Sequence, residues 1–320
     1  MSTVEKFGQM FLAVALFAAL FGLVMFIVDR VKGRQADRVA AIAFIGPAIL
    51  LLIWGLLRPA VLTIIASFKD GPGREWVGFD NYVTMFTNSD QLIVLRNTFI
   101  WVLIVPFMAT AIGLVYAILV DRTRTEALAK ALVFLPMAIS MVGASIIWKF
   151  VVDYRPTESG QIGLANQVLV WLGLDSYQFL ITSPWNNLVL IAVMIWIQAG
   201  FAMTVLSAAI KAIPDDIVEA ARLDGVKSLA MFRFVTLPTI RPALIVVLTT
   251  IAIVSLKAFD IIRTMTGGQF GTSVVANEFY TQAFRSNNRG LGAALAVTLF
   301  VLVVPIVVYN VIQLRKADVR

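Results

Sequence analysis

The sequence predicts an all-α membrane protein, a polytopic helical bundle of about seven transmembrane helices. Three observations predict it. Of the 320 residues, 60% are hydrophobic and only 14% charged. The mean hydropathy of +0.88 lies in the membrane range. The apolar residues also gather into seven runs, each close to the roughly 20 residues a helix needs to cross a hydrocarbon core. This composition excludes a water-soluble fold. Backbone polar groups in lipid must be bonded internally, and no run alternates with period two as a membrane strand would, so the runs are helices.

The seven runs fall near 10–28, 39–66, 98–120, 131–151, 188–210, 242–262 and 291–308. The first is longer than the apolar core of a secretory leader. It is preceded by both Glu5 and Lys6 and followed by Asp29 and Arg30 with no small-residue cleavage pattern, so it reads as a retained anchor helix. Pro47, Pro59, Pro106, Pro136 and Pro305 lie inside spans, where each removes a backbone hydrogen bond and bends its helix. In the sixth run Lys257, Asp260 and Arg263 step three residues at a time along one helix face, which would let the first two pair near the outer end. Arg58 is read in the same way, as a span residue snorkelling to an interface. Residues 1–38 are thus expected to form an anchor helix with a basic connection, and 39–320 a six-helix core.

Orientation follows from the basic residues, which stay preferentially on the cytoplasmic side. Fifteen Lys and Arg fall in one alternating set of connections and ten in the other. The richer set includes Arg30, Lys32, Arg34 and Arg38 after the first span, Arg122 and Arg124 after the third, Lys211, Arg222, Lys227, Arg233 and Arg241 after the fifth, and Arg320 at the end. The N-terminus is expected outside and the C-terminus in the cytoplasm. The net charge of +7 is therefore a topology signal spread over short clusters, not a phosphate-binding face, and no nucleic-acid partner is expected.

The chain has no Cys and no His, which excludes disulfides, thiolate chemistry, Cys/His zinc sites and imidazole catalysis. No nucleophile and base pair is apparent, so the chain is not expected to be an enzyme. Gly71-Pro72-Gly73 and Gly267-Gly268 lack the lysine and the strand-to-helix setting of a phosphate loop, and no G-x-x-x-x-G-K-[ST] occurs. No cofactor or metal is expected on this chain, and any ATP must be held by another.

The connection 211–241 carries a signature. Pro214 suits the first turn of a helix, and Asp215, Asp216 and Glu219 place negative charge where the helix dipole favours it. Ile213, Ile217, Ala220, Ala221 and Asp224 then step at helical spacing, and Gly225 supplies the left-handed residue that ends the helix. A helix of about ten residues is marginal alone, so it must lean on the membrane domain or on a partner. Ala220 and Ala221 let another surface approach closely.

Glu219-Ala220-Ala221, Gly225, Val235 and Leu237-Pro238 resemble, in identity and spacing, the EAA loop of binding-protein-dependent ABC importer permeases, with Val where isoleucine is usual. Ser67-Phe68 and Gly78-Phe79-Asp80-Asn81-Tyr82 are similar to the first external loop of carbohydrate permeases of the maltose-transporter type. Phe259-Asp260, Thr266-Gly267-Gly268, Tyr280, Phe284 and Gly290 to Ala294 are similar to the segment leading into the last helix of that family. The length and extra N-terminal span look like the larger permease of the pair, α-glucoside branch, without the large external insertion of the enteric maltose permease.

The resemblance implies a type I importer fold and a multi-pass place in the cytoplasmic (inner) membrane of a bacterium or archaeon. It implies a second permease, two copies of a cytosolic ATPase carrying ATP and Mg, and an extracytoplasmic sugar-binding protein as partners, with membrane lipid around them. It also implies that Glu219, Ala220, Ala221, Asp224, Gly225, Leu237 and Pro238 form the ATPase-coupling loop. The cargo would be a small carbohydrate, an α-glucoside such as maltose or trehalose, moved by alternating access.

Polar groups near the middle of a span usually face a cavity. Ser140, Gln198 and Ser255, with Trp196 and Phe259 nearby, are therefore the candidate substrate path, offering hydrogen bonds and aromatic faces to a neutral sugar. The same polar residues could instead join helices across the bundle. Two other classes stay open. A secondary transporter would carry a carboxylate inside a span, and apart from Asp260 near an end the spans have none. A non-transporting scaffold would use the loop helix merely to bind a partner.

Overall fold

The computed structural model describes residues 3–30, 36–121 and 123–318. Of the basic residues that set the expected orientation, Lys32, Arg34, Arg122 and Arg320 lie outside these. The chain divides into two compact units, Met1–Ile65 and Ala66–Arg320. The division at 38/39 drawn from the sequence concerns topology, and contacts give a different partition.

The first unit holds α1 (Thr3–Arg30), α2 (Ala36–Leu52), a wide turn over Ile53–Leu57, and α3 (Arg58–Ala66) except for its last residue. Pro59 has no N–H to continue the ladder. The helix widens just before it, with the Arg58 N–H reaching back to the Ile53 carbonyl, and then resumes. Arg58 lies with its guanidinium 4.8 Å from the Trp54 ring centre, a charge lodged on an aromatic face. Phe21 of α1 and Phe44 of α2 meet at 6.5 Å. Most large apolar side chains of this unit are exposed, Phe17 at 71% and Leu51 at 73%, as suits helices whose solvent is lipid.

The second unit is built on α5 (Ser89–Val120) and α9 (Trp185–Lys211), packed along most of their lengths. They approach so closely that a Cβ on Gly113 would lie 2.5 Å from the Ala202 Cβ, so only glycine fits there. In lipid, helices associate through packing and hydrogen bonds rather than hydrophobic burial, and small residues at the contact permit both. Trp101, Val105, Leu190, Met194, Met203 and Leu206 form the centre of the core. Trp101, fully buried, donates its indole N–H to Asn187 Oδ1 at 2.7 Å.

Around this pair stand α4 (Asp80–Thr87), α6 (Glu126–Phe134), α7 (Met141–Val151), α8 (Leu164–Trp171), α10 (Asp215–Leu223), α11 (Ser228–Met231) and α12 (Leu237–Thr239). They are followed by α13 (Arg241–Leu256), α14 (Asp260–Met265), α15 (Val275–Tyr280) and α16 (Arg289–Asp318). Among the described residues five helices are long and apolar enough to cross a membrane, and up to seven if each of two bent pairs counts as one span.

Three spans differ from the sequence expectation. The third begins at Ser89, capped by the Asn88 side chain on the N–H groups of Asp90 and Gln91, so polar residues ahead of residue 98 are already helical. The fourth is not one helix. α6 passes through a tight turn at Leu135–Ala138 and meets α7 at an angle of 100°. Pro136 cannot donate into a continuous ladder, and Ser140 instead caps α7 by accepting from Gly143 N at 3.0 Å. The sixth ends at Leu256. Lys257 closes α13 and Phe259 precedes α14, so Lys257, Asp260 and Arg263 do not share one helix face and the expected Lys257–Asp260 pair does not form. Arg263 lies 4.9 Å from the Tyr280 ring instead.

Candidate functional site

The hairpin between α9 and α13 is built as its sequence anticipates. α10 starts after Pro214 with Asp215 and Asp216 in its first turn. It ends in a left-handed Gly225 at φ 78°. There the Gly225 N–H bonds the Arg222 carbonyl at 3.0 Å and the Val226 N–H bonds that of Ala221 at 3.1 Å, the paired closure of a Schellman end. The chain then reverses through α11 and a wide turn at Phe232–Thr236 into α12, which meets α13 at 69°.

On the inner side of the hairpin a cavity of about 360 Å³ is bordered by Ile118, Ile210, Ile213, Val218, Val226 and Phe232. On the outer side Glu219, Ala220, Asp224, Gly225 and Pro238 are exposed, whereas Ala221 and Leu237 are half-buried. Beside them Ile217, Leu223, Leu229 and Phe234 stand out, Leu223 at 88% exposure. Large apolar side chains exposed on a charged segment leave apolar surface available to another surface. The base of the hairpin is held by charge. Glu126 accepts from Lys130 Nζ at 2.6 Å and from Lys211 Nζ, and Lys130 also bonds Ser207 Oγ.

The five path candidates fall in different settings. Trp196 borders a cavity of about 560 Å³ with Ile112, Tyr116, Leu132, Pro136 and Ile195, and its ring meets Trp148 edge-on at 5.7 Å. Gln198 is 8% exposed, and its amide has no hydrogen bond among the described residues. Two residues apart on α9, Trp196 and Gln198 lie on opposite sides of the helix. Ser140 is exposed and engaged as the α7 cap. Ser255 is buried and donates to the Ile251 carbonyl at 2.8 Å. Phe259 packs on Tyr280 at 5.2 Å, which in turn meets Phe284 at 5.4 Å.

At the opposite end of the bundle, the two loop segments that resembled one family in sequence are joined in space. Asn81 Nδ2 donates to the Ser67 and Lys69 carbonyls at 2.9 and 2.7 Å, and Tyr82 Oη donates to Ser67 Oγ at 2.8 Å. Arg289 N donates to the Gly71 carbonyl at 2.8 Å. Gly290 sits so close that a Cβ would lie 2.1 Å from the Lys69 oxygen. Within the first loop, the N–H groups of Glu75 and Arg74 donate to Asp70 Oδ1 and hold its carboxyl below the usual carboxylate range.

Sequence reasoning passed over a further set. Asn97 Nδ2 donates to the carbonyls of Gly271 and Ser273, Asn186 Nδ2 to that of Phe270, and Thr98 Oγ1 accepts from Val275 N. These bonds tie the 266–275 segment to α5 and α9. Their signal in the sequence was present: polar residues standing in the first turns of long apolar helices, where nothing but a buried partner keeps them.

The architecture is that of a multi-pass membrane protein with an exposed helical hairpin at one end and a hydrogen-bonded loop assembly at the other. Residues 93–317 match the family model for the inner membrane component of binding-protein-dependent transport systems, and the chain belongs to that family. It is 46% identical over 86% of its length to the osmoprotective compounds uptake permease protein GgtC of Synechocystis, covering 99% of that protein. It is 42% identical over 87% of its length to the alpha-glucoside transport system permease protein AglF of Rhizobium meliloti, covering 83% of it. In fold it resembles a chain of a bacterial ABC transporter that imports alginate, with a TM-score of 0.73 at 24% identity over 85% of this chain and 94% of that one. The chain is thus an ABC importer permease of the inner membrane, and the scaffold and secondary-transporter classes are set aside.

Proposed function

We propose that this chain is the larger of two permeases in an ATP-driven importer and that it carries a small neutral carbohydrate, an α-glucoside such as maltose or trehalose. The observation that carries the reading is the hairpin: a short helix closed by Gly225, with an exposed apolar row, joined directly to two membrane helices. Identity of 46 and 42% to permeases named for osmoprotective compounds and alpha-glucosides supports the cargo class. The hairpin docks into one of two copies of a cytosolic ATPase, which hold the ATP and Mg. Rigid-body motion of that subunit then drives alternating access through α9 and α13. An extracytoplasmic binding protein delivers the sugar at the opposite end, and a related solved complex named for a bound periplasmic protein supports that partner. The hairpin and C-terminus face the cytoplasm and the N-terminus the outside.

Ser140, Trp196, Gln198, Ser255 and Phe259 remain the candidates along the path. Gln198 is supported by an amide that has no hydrogen bond among the described residues and Trp196 by the cavity it borders, whereas Ser140 and Ser255 bond backbone in this conformation. The test is copurification of the chain with its membrane partners, followed by ATPase assays in lipid. Hydrolysis that rises only with binding protein and an α-glucoside supports the reading. A chain that purifies without an ATPase and moves solute down an ion gradient overturns it.

A further inference from the structure

We propose that the polar cluster around Ser273 and Glu278 binds a hard monovalent cation of the sodium type, which fastens the 266–285 segment to α5. Three amide side chains there are almost fully buried: Gln91 at 6% exposure, Asn97 at 1% and Asn277 at 1%. Each spends its NH₂ group on an acceptor. Asn97 Nδ2 donates to the Gly271 and Ser273 carbonyls at 2.7 and 3.0 Å, Gln91 Nε2 to Glu278 Oε1 at 3.3 Å, and Asn277 Nδ2 to Ser273 Oγ at 3.0 Å. The Ser273 hydroxyl proton goes to Glu278 Oε2 at 3.1 Å, so Ser273 Oγ can only accept from Asn277. These partners fix the amide orientations, because a flipped amide would set oxygen against oxygen.

The consequence is three buried oxygens, Gln91 Oε1, Asn97 Oδ1 and Asn277 Oδ1, that receive no hydrogen bond. Each belongs to an amide one hydrogen bond away from Ser273 or Glu278. Glu278 accepts from neutral donors, the third being Gln282 Nε2 at 2.7 Å, and has no Lys or Arg in ion-pair range among the described residues. The cluster therefore has surplus acceptors, one negative charge and no spare donor. A single water offers two protons to three oxygens, and the half-buried Glu278 carboxylate receives only neutral donors. A cation meets both needs, and an all-oxygen donor set selects a hard one. Calcium sites commonly gather several carboxylates, yet no three acidic side chains come together among the described residues. One carboxylate with neutral amide oxygens balances a single positive charge. The role is structural: the ion would pin α15 and its preceding loop to the first turns of α5.

Hydrogen exchange of the 270–285 segment tests this, with the full chain and its copurifying subunits in lipid nanodiscs, in sodium chloride against choline chloride at equal ionic strength. If the ion binds only the closed segment, exchange slows by one plus the ratio of sodium to its dissociation constant, about tenfold at ten times half-saturation. Asn277→Ala and Gln91→Leu, each removing one orphan oxygen, and Glu278→Gln, removing the charge, should weaken or abolish that dependence. Identical exchange in sodium and choline overturns the site and leaves ordered water in its place. Slowing by calcium with sodium silent overturns the monovalent assignment. Should the variants fail to assemble, the wild-type titration decides alone. The readout is independent of transport and of ATP hydrolysis.

Discussion

At one end of the bundle, side chains 174 to 187 residues apart in sequence bond α5 to the loop and helix ahead of α16. At the other end α10 has no buried side chain, is closed by its own capping bonds, and rises from a base where Lys211 meets both Glu126 and Asp121 and Lys130 meets Glu126. A segment bound through buried long-range hydrogen bonds moves only with the helices it is bound to, because each bond broken there strands a polar group away from water. A segment held locally can change what it touches without unfolding anything. One end is thus tied into the bundle, and the other is free to serve as the handle that the proposed docking requires.

The locked end is most sensitive at Gly290. Gly290→Val would force a side chain into the Lys69 and Asp70 carbonyls, 2.1 and 2.7 Å from its Cβ, which nothing flexible can relieve. A loss on the order of 3 kcal/mol or more is expected. The chain should fail to give monodisperse protein in detergent, and a wild-type melting temperature would show that this end is not locked.

Gly225→Val is the matching change at the other end and should act differently. No atom lies within 4 Å of the Cβ position, so the penalty is the left-handed backbone alone, about 1–3 kcal/mol confined to the hairpin. The bundle should remain stable while ATPase association falls, and Gly225→Asn, which tolerates that conformation, should restore it. Equal ATPase recovery in all three proteins would deny the hairpin its docking role. Between the two ends, Gln198→Leu should lower sugar uptake severalfold with assembly intact. Unchanged uptake kinetics would make Gln198 a packing residue.

The smallest effect concerns Asp70. Its carboxyl titrates below the ordinary range because the N–H groups of Glu75 and Arg74 favour the anion. The turn is therefore fully supported above the ordinary carboxylate pKa and loses that support as pH falls through the lowered value. Exchange protection of residues 74 and 75, corrected for intrinsic rates, should decline in acid in the wild type and stay flat in Asp70→Asn. Parallel profiles would remove Asp70 from the account.

The hairpin was legible because everything that makes it is local. Acidic residues follow Pro214, apolar positions recur at helical spacing, and Gly225 closes the helix, all within about a dozen residues. The path candidates lie at the middle of each span only if the helices are unbroken. Ser140 shows the weakness of that assumption: it marks the junction of two helices at 100°, where its hydroxyl is engaged as a cap. Lys257 and Asp260 fail for the same reason, since spacing along a helix has no meaning across its end.

By itself the sequence determined that this chain lives in a membrane, that its spans are helices, and that residues 215–225 form a short helix closed by glycine. Those properties come from transfer of side chains to lipid and from backbone bonds within one segment, and both are set by neighbours in the chain. Only the tertiary structure decided where spans four and six break, and that Ser67, Asn81 and Gly290 form one locked assembly. It alone decided that Gln91, Asn97 and Asn277 converge on Ser273 and Glu278. Those pairings depend on which helices lie side by side, and a polar residue inside an apolar run carries no mark of the distant partner that will satisfy it.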